Sequence, residues 1–199
     1  MADRRLLAEL EKGVQNWNWW REERFKFQAD FSGAELRGKD LRGVSFHNAN
    51  LTGADLSGAD LRYADFVGSD LAGARLDGAR MAAADLQEAQ AQKASFVGTD
   101  LRGAKLRKTN FTDALLQGAD LRAAELRRAN LTRADLSGAH LGDAMILEAR
   151  FTEAVLEGTR LHGVEIRLAI GLTEEQKAAA QGVGENGSGW LTKLIMRFR

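Results

Sequence analysis

The chain has 199 residues, no Cys and no Pro, and its 28 Lys plus Arg equal its 28 Asp plus Glu, so the net charge is zero. Without Cys there is no disulfide framework, thiolate zinc site or cysteine nucleophile, and no apolar run approaches the ~20 residues that a membrane span needs. The opening Met-Ala-Asp-Arg-Arg, followed by leucines broken by Glu9 and Glu11, is no secretory leader, so a cytoplasmic protein is expected.

Residues 1–28 form the first segment. Leu6, Leu7, Leu10, Val14 and Trp17 stand at helical spacing, which predicts one amphipathic helix over 3 to about 24, with Gly13 a weak spot. Trp17-Asn18-Trp19-Trp20-Arg21 closes it. Leu10, Val14, Trp17, Trp19 and Trp20 are read as a cover for the end of the next segment. An aromatic ligand or base-stacking site is the less favoured alternative. Phe25 and Phe27 stand out of phase with that next segment and belong to the junction.

Residues 29–168 repeat with a period of five. The phase is seen best in Ala-Asn-Leu-Thr-Gly, Ala-Asp-Leu-Ser-Gly, Ala-Asp-Leu-Arg over 49–62. A large apolar centre falls on every fifth residue from Phe31 to Ile166, and only Ala91 is small. The residue two before each centre is Ala almost throughout, with Ser69, Thr99, Thr109, Thr159, Val44 and Val164 as small exceptions and Lys39 as the outlier. A step of five smears the centres around a helix and sends them alternately to both faces of a strand. One side can bury them all only if the chain turns once per repeat.

A second period sets the size of the circuit. Gly38, Gly58, Gly78, Gly98, Gly118, Gly138 and Gly158 are twenty apart without a gap. Asp-Leu-Arg at 40–42, 60–62, 100–102 and 120–122 keeps the same spacing, as does Asn-Leu/Phe-Thr at 50–52, 110–112 and 130–132. Four repeats therefore complete one coil of square section, and the all-Gly line marks one corner with positive φ. Ala91 leaves either a small void or a local deformation.

These tandem A(D/N)LxG motifs resemble the pentapeptide-repeat family over about two thirds of the chain. The resemblance implies an all-β solenoid, a right-handed quadrilateral β-helix. About seven coils at the ~4.8 Å strand spacing give a prism roughly 34 Å long. Some members of that family mimic duplex DNA, bind DNA gyrase or topoisomerase IV and protect them from quinolones. Those are strongly acidic dimers.

Residues 169–199 lose the phase. Thr173 followed three residues later by Gln176 is a capping box, which predicts a short helix from Glu174 to about Gln181. Residues 182–189 read as a Gly-rich linker. In the tail, Trp190, Leu191, Leu194, Ile195 and Phe198 stand at helical spacing among Lys193, Arg197 and Arg199. It can dock on its own prism, pair with a second subunit as a homodimer, or lie on an anionic membrane. Docking on protein is favoured.

The surface offers two candidate patches. Between 101 and 133, Arg102, Lys105, Arg107, Lys108, Arg122, Arg127, Arg128 and Arg133 face only Asp113, Asp120 and Glu125, which suggests a basic belt for an acidic protein or nucleic acid, with a plain solvated surface the favoured reading. The Arg column after Leu41 is matched by Asp40, Asp60, Asp100 and Asp120, so that face is read as solvated rather than phosphate-binding, and nucleic acid is disfavoured as a partner. Leu115, Met145, Leu147 and Val155 stand where polar residues are expected, so they are read as an interface.

Catalysis is not expected. His140 and His162 match no metal-ligand spacing, no nucleophile, base and orienting acid converge, and no cofactor motif occurs. The favoured function is a non-enzymatic protein-interaction scaffold of unassigned target. The alternative is a DNA mimic that binds gyrase, which the neutral charge and the central basic residues oppose.

Overall fold

The structure, a computed structural model, describes residues 2–24 and 27–181. Phe25, the linker over 182–189 and the tail with Trp190, Leu194, Ile195 and Phe198 lie outside the described residues. Two helices, α1 (Arg4–Glu11) and α2 (Val14–Glu22), precede the repeats. A 3-10 turn at Ile166–Leu168 and helix α3 (Glu174–Gln181) come after them.

The repeat period carries the backbone geometry. Parallel bridges join residues twenty apart, from Asp30↔Asn50 through Asp100↔Asp120 to Arg150↔Ile170. Among the described residues no extended strand forms. Each face contributes one bridging residue per coil, because a turn intervenes every five residues.

Every repeat has five backbone N–H groups to satisfy, and a buried one left alone costs about 1–3 kcal/mol. The repeat over 54–58 shows how this is done. Leu56 N and Gly58 N donate to Arg75 O and Asp77 O of the next coil at 2.7 and 2.9 Å, and Asp55 N donates back to Ala34 O at 2.9 Å. Ala54 N closes the preceding turn on Leu51 O at 3.0 Å. The fifth, Ser57 N, donates to the carboxylate of Asp55 at 2.9 Å.

That last bond explains why Asp or Asn so often precedes the apolar centre. The same contact recurs at 2.9 Å from Ser32 N, Val67 N and Ala72 N to Asp30, Asp65 and Asp70. Thr52, Thr112 and Thr132 make it at 3.1–3.2 Å to Asn50, Asn110 and Asn130. Asp70→Ala should therefore destabilise the protein by about 1 kcal/mol, because Ala72 N–H loses its acceptor, while Asp70→Asn keeps it. Equal losses for the two variants in urea denaturation would show that the bond is not what the position supplies.

The turns differ from expectation. Positive φ is not confined to the all-Gly line: it occurs at the second residue after every centre from Gly33 to Gly163. Asn48, Tyr63, Ala83 and Lys93 hold φ between 53° and 62° like their glycine counterparts. A hydrogen-bonded turn with positive φ only at its third residue is type II. The chain must make that turn at every repeat, so residues with side chains accept a strain of about 1–2 kcal/mol each.

The large centres are buried throughout, with the small residues between them. Ala91 causes no backbone deformation: its N–H still reaches Asn110 O at 2.8 Å and the Gln90↔Asn110 bridge is kept. Thr99, Thr109 and Thr159, buried at the small position, donate their hydroxyls to Leu76 O, Leu86 O and Leu136 O at 2.7, 2.7 and 2.8 Å.

The N-terminal segment is two helices where one was expected. Gly13, at φ 108°, breaks it between them. At the other end the capping box forms reciprocally: Thr173 N donates to Gln176 Oε1 at 2.8 Å, and Gln176 N to Thr173 Oγ1 at 3.2 Å.

Candidate functional site

Helix α2 places three side chains on the raw edge of the first coil. Trp17 Nε1 donates to Ser45 O at 2.8 Å. Asn18 accepts from Ser45 N and donates to Gly43 O, both at 2.8 Å. Arg21 donates to His47 O at 2.7 Å and to Phe27 O at 2.5 Å. Ser45 N, Ser45 O and His47 O are groups that a preceding coil would satisfy. The Trp-Asn-x-x-Arg segment thus replaces a missing coil on this face.

The aromatic cover is narrower than the sequence suggests. Trp17 is fully buried, stacked on Trp20 at 5.3 Å and edge-on to Phe31 at 5.2 Å. Leu10 is buried, and Val14 and Trp20 are partly buried against the core. Trp19 is 64% exposed. Two residues along a helix advance about 200°, which turns Trp19 away from the face that Trp17 buries.

The Leu41 face is a ladder of ion pairs. Arg42, Arg62, Arg102 and Arg122 each fork onto the Asp two residues earlier, with Nε–Oδ1 at 2.8 Å in all four. The Arg42 hydrogen bond holds the Asp40 carboxyl at about 2, against an ordinary 3.8. Asp60, Asp100 and Asp120 are lowered too, each first by its Arg hydrogen bond.

Folded-state values below the unfolded value mean stability that is present above about pH 4 and lost as pH falls toward about 2. Melting temperature should therefore hold down to about pH 5 and then drop. The D40N/D60N/D100N/D120N variant should show a shallower drop. An identical acid profile for both proteins would exclude these four groups as its source.

The basic belt is mostly neutralised. In a coil of twenty residues the neighbours of a side chain lie at i±20, outside the linear window in which the surplus is counted. Lys105 meets Asp85 at 3.3 Å, Lys108 meets Glu88 at 2.7 Å and Arg128 meets Glu148 at 2.7 Å. Arg102 and Arg122 hold Asp100 and Asp120 at 2.8 and 2.6 Å, and Arg133 holds Asp113 at 2.6 Å. Among the described residues only Arg107 and Arg127 of the eight show no carboxylate partner. Arg127 instead contacts Met145 Sδ at 3.5 Å.

The apolar candidates divide. Leu115 and Val155 share a column but are separated by Asp135, bridged to both. Met145 and Leu147 flank buried Ile146, at 38% exposure each. Beside them the last coil adds exposed Leu168 and Ile170, whose carbonyls accept from Glu148 N and Phe151 N at 3.0 and 2.7 Å. Sequence reasoning missed Leu168 and Ile170 because they follow Ile166, the last apolar centre of the repeat. His140 and His162 lie with ring centroids 5.2 Å apart, and among the described residues no cluster of three or more metal-ligating side chains occurs.

A model of pentapeptide repeats matches the chain in eight copies, over residues 27–62, 64–103, 94–133, 104–143 and 134–170. The chain belongs to the pentapeptide repeat family. Membership implies the right-handed quadrilateral β-helix. HetL, a pentapeptide repeat protein involved in heterocyst differentiation regulation in the cyanobacterium Nostoc sp. strain PCC 7120, is 30% identical, with 71% of this chain and 80% of that one covered and a TM-score of 0.38. A pentapeptide repeat protein of the Arabidopsis thaliana thylakoid lumen is 23% identical over 81% of this chain and 90% of that one, at a TM-score of 0.37. Trypsin-treated QnrB1, a plasmid-mediated fluoroquinolone resistance protein, is 23% identical over 81% and 88%, at 0.39. No curated protein matches the chain. No helix among the described residues is long and apolar enough to cross a membrane.

Proposed function

We propose that this pentapeptide repeat protein is a non-enzymatic, cytoplasmic scaffold for protein–protein interaction, with about seven coils over 29–168 as its body, 1–28 as its cap and 169–199 as its docking arm. The observation that carries the reading is the contrast between surfaces. The charged columns pair with themselves, whereas Met145 and Leu147 are exposed on either side of Ile146, and Leu168 and Ile170 are exposed on the coil that follows. Apolar surface left in water is unfavourable by about 25 cal/mol per Å². Trp190, Leu191, Leu194, Ile195 and Phe198 of the tail are a suitable cover, in cis or from a second subunit.

The gyrase-binding DNA mimic needs a continuous anionic face. The Asp column on the Leu41 face is forked by arginines, and Lys105, Arg107 and Arg127 occupy the middle of the Phe46 face, so no observation favours that alternative. Nucleic acid is disfavoured on the same grounds, since paired cations have little charge left for phosphates.

Deleting 190–199 tests the scaffold reading. Docking in trans predicts that light scattering shows a dimer becoming a monomer. Docking in cis predicts a monomer that melts earlier and is less soluble. Unchanged mass and stability, with loss of sedimentation on anionic vesicles, would replace protein docking by membrane binding.

A further inference from the structure

Among the described residues, hydrogen bonds cover the edge of the first coil on only two of its four faces. Asp3 N donates to Asp30 O at 2.9 Å, and Trp17, Asn18 and Arg21 serve the Phe46 face. Among the described residues, the ladder groups of the Leu36 and Leu41 faces have no such cover, although Asn18 reaches Gly43 O at the corner. One coil further in, Asp55 N and Asp60 N donate to Ala34 O and Lys39 O at 2.9 and 3.0 Å. Asp55 O and Asp60 O accept from Leu36 N and Leu41 N, both at 2.8 Å, and Ser57 O and Arg62 O accept from Gly38 N and Gly43 N, both at 2.9 Å. The first-coil counterparts are Glu35 N, Asp40 N and the carbonyls of Glu35, Arg37, Asp40 and Arg42. Among the described residues these have no hydrogen-bond partner.

A cleft runs beside this open edge. Its main part is about 500 Å³, between Leu7, Leu10 and Val14 of the helices and Ala34, Leu36 and Leu41 of the coil. It continues past Gly13 and Asp40 into a second hollow of about 460 Å³. Lys39 lines it too. Elsewhere the small inward position of the repeat is almost always Ala. Here the long side chain is exposed, because no coil lies beyond it.

We propose that this edge is a strand-addition site for an extended segment of a partner protein. The ligand chemistry follows from the unmet groups. Two donors and four carbonyl acceptors, spaced by the five-residue repeat along two successive faces, match a backbone that continues the coil register. They do not match a charged headgroup or a globular surface. Leu36 and Leu41 are themselves buried, so the two apolar side chains of the added segment, five residues apart, enter the cleft against the partly buried Leu7 and Val14. The site is continuous with the edge that Trp17, Asn18 and Arg21 already close, so the partner finishes a coil that the chain half completes. It lies at the opposite end from Met145 and Leu147 and does not depend on what covers them.

The probe is a synthetic peptide, Ala-Asp-Leu-Ser-Gly-Ala-Asp-Leu-Arg-Tyr, copying residues 54–63, titrated into the full-length protein and followed by amide NMR and hydrogen exchange. In the free protein the Glu35 and Asp40 amides should exchange far faster than those of Asp55 and Asp60. With peptide near 90% occupancy they should slow by about tenfold. The same peptide N-methylated at both leucines should not bind, because it cannot donate to Glu35 O and Asp40 O. E35P/D40P should also lose binding, since proline removes both donors at an edge that tolerates it. If that variant unfolds, the methylated peptide still decides. Protection of Glu35 and Asp40 in the free chain, equal binding of the methylated peptide, or shifts mapping to another part of the prism would each overturn the proposal.

Discussion

Leu121→Ala should cost about 2–5 kcal/mol of unfolding free energy, and its neighbour Arg122→Ala less than about 1 kcal/mol. Leu121 is fully buried, stacked in a column with Leu101 and Leu141. Its backbone bonds, Leu121 N to His140 O at 2.8 Å and Ala124 N to Leu121 O at 3.1 Å, survive the substitution. The loss is therefore that of the side chain and of the cavity left between coils that cannot collapse without breaking register. Arg122 is half exposed and forks onto Asp120, which retains Arg102 at 3.7 Å when Arg122 is gone. Urea denaturation of the two variants compares an inward with an outward residue one position apart. Equal shifts would refute the assignment of faces.

How legible the molecule is depends on whether the signal repeats. The inward column is readable because Phe31, Leu36, Leu41 and their successors recur without a slip, and the bridge register of twenty is readable from the Gly38–Gly158 series. The Asp and Asn that precede many of the centres also recur, yet composition makes them look like solvation. Their role as acceptors for a turn N–H, as Asp70 is for Ala72, emerges only once the turn is built. The belt is misleading for a related reason. Counting charge along the chain pairs Lys105 and Arg128 with no acid, whereas stacking sets them against Asp85 and Glu148 twenty residues away. Features that occur once are hardest. The outward turn of Trp19, the break at Gly13 and the exposure of Leu168 depend on how the ends meet the prism, and no period announces them.

The end of the prism also supports the second large effect. Trp17→Ala should destabilise the protein by about 3–5 kcal/mol, and Trp19→Ala, on the exposed side of the same helix, by less than about 0.5 kcal/mol. Trp17 heads a run of aromatic contacts that passes to Phe31 at 5.2 Å, from Phe31 to Phe46 at 5.2 Å and from Phe46 to Phe66 at 5.4 Å. Its indole N–H also holds Ser45 O, and its ring lies 6.0 Å from the Arg21 guanidinium that holds His47 O. Truncation removes the cover from Phe31 and loosens the side chains that satisfy the first-coil edge. In a solenoid, coils contact only their neighbours, so the damage should spread from that end. Exchange at the Ser45 amide, held by Asn18 at 2.8 Å, should accelerate before exchange at Leu121 or Leu131 does. If Trp17→Ala and Trp19→Ala destabilise equally, or if Ser45 and Leu131 accelerate together, the helices are not the cap that holds the first coil.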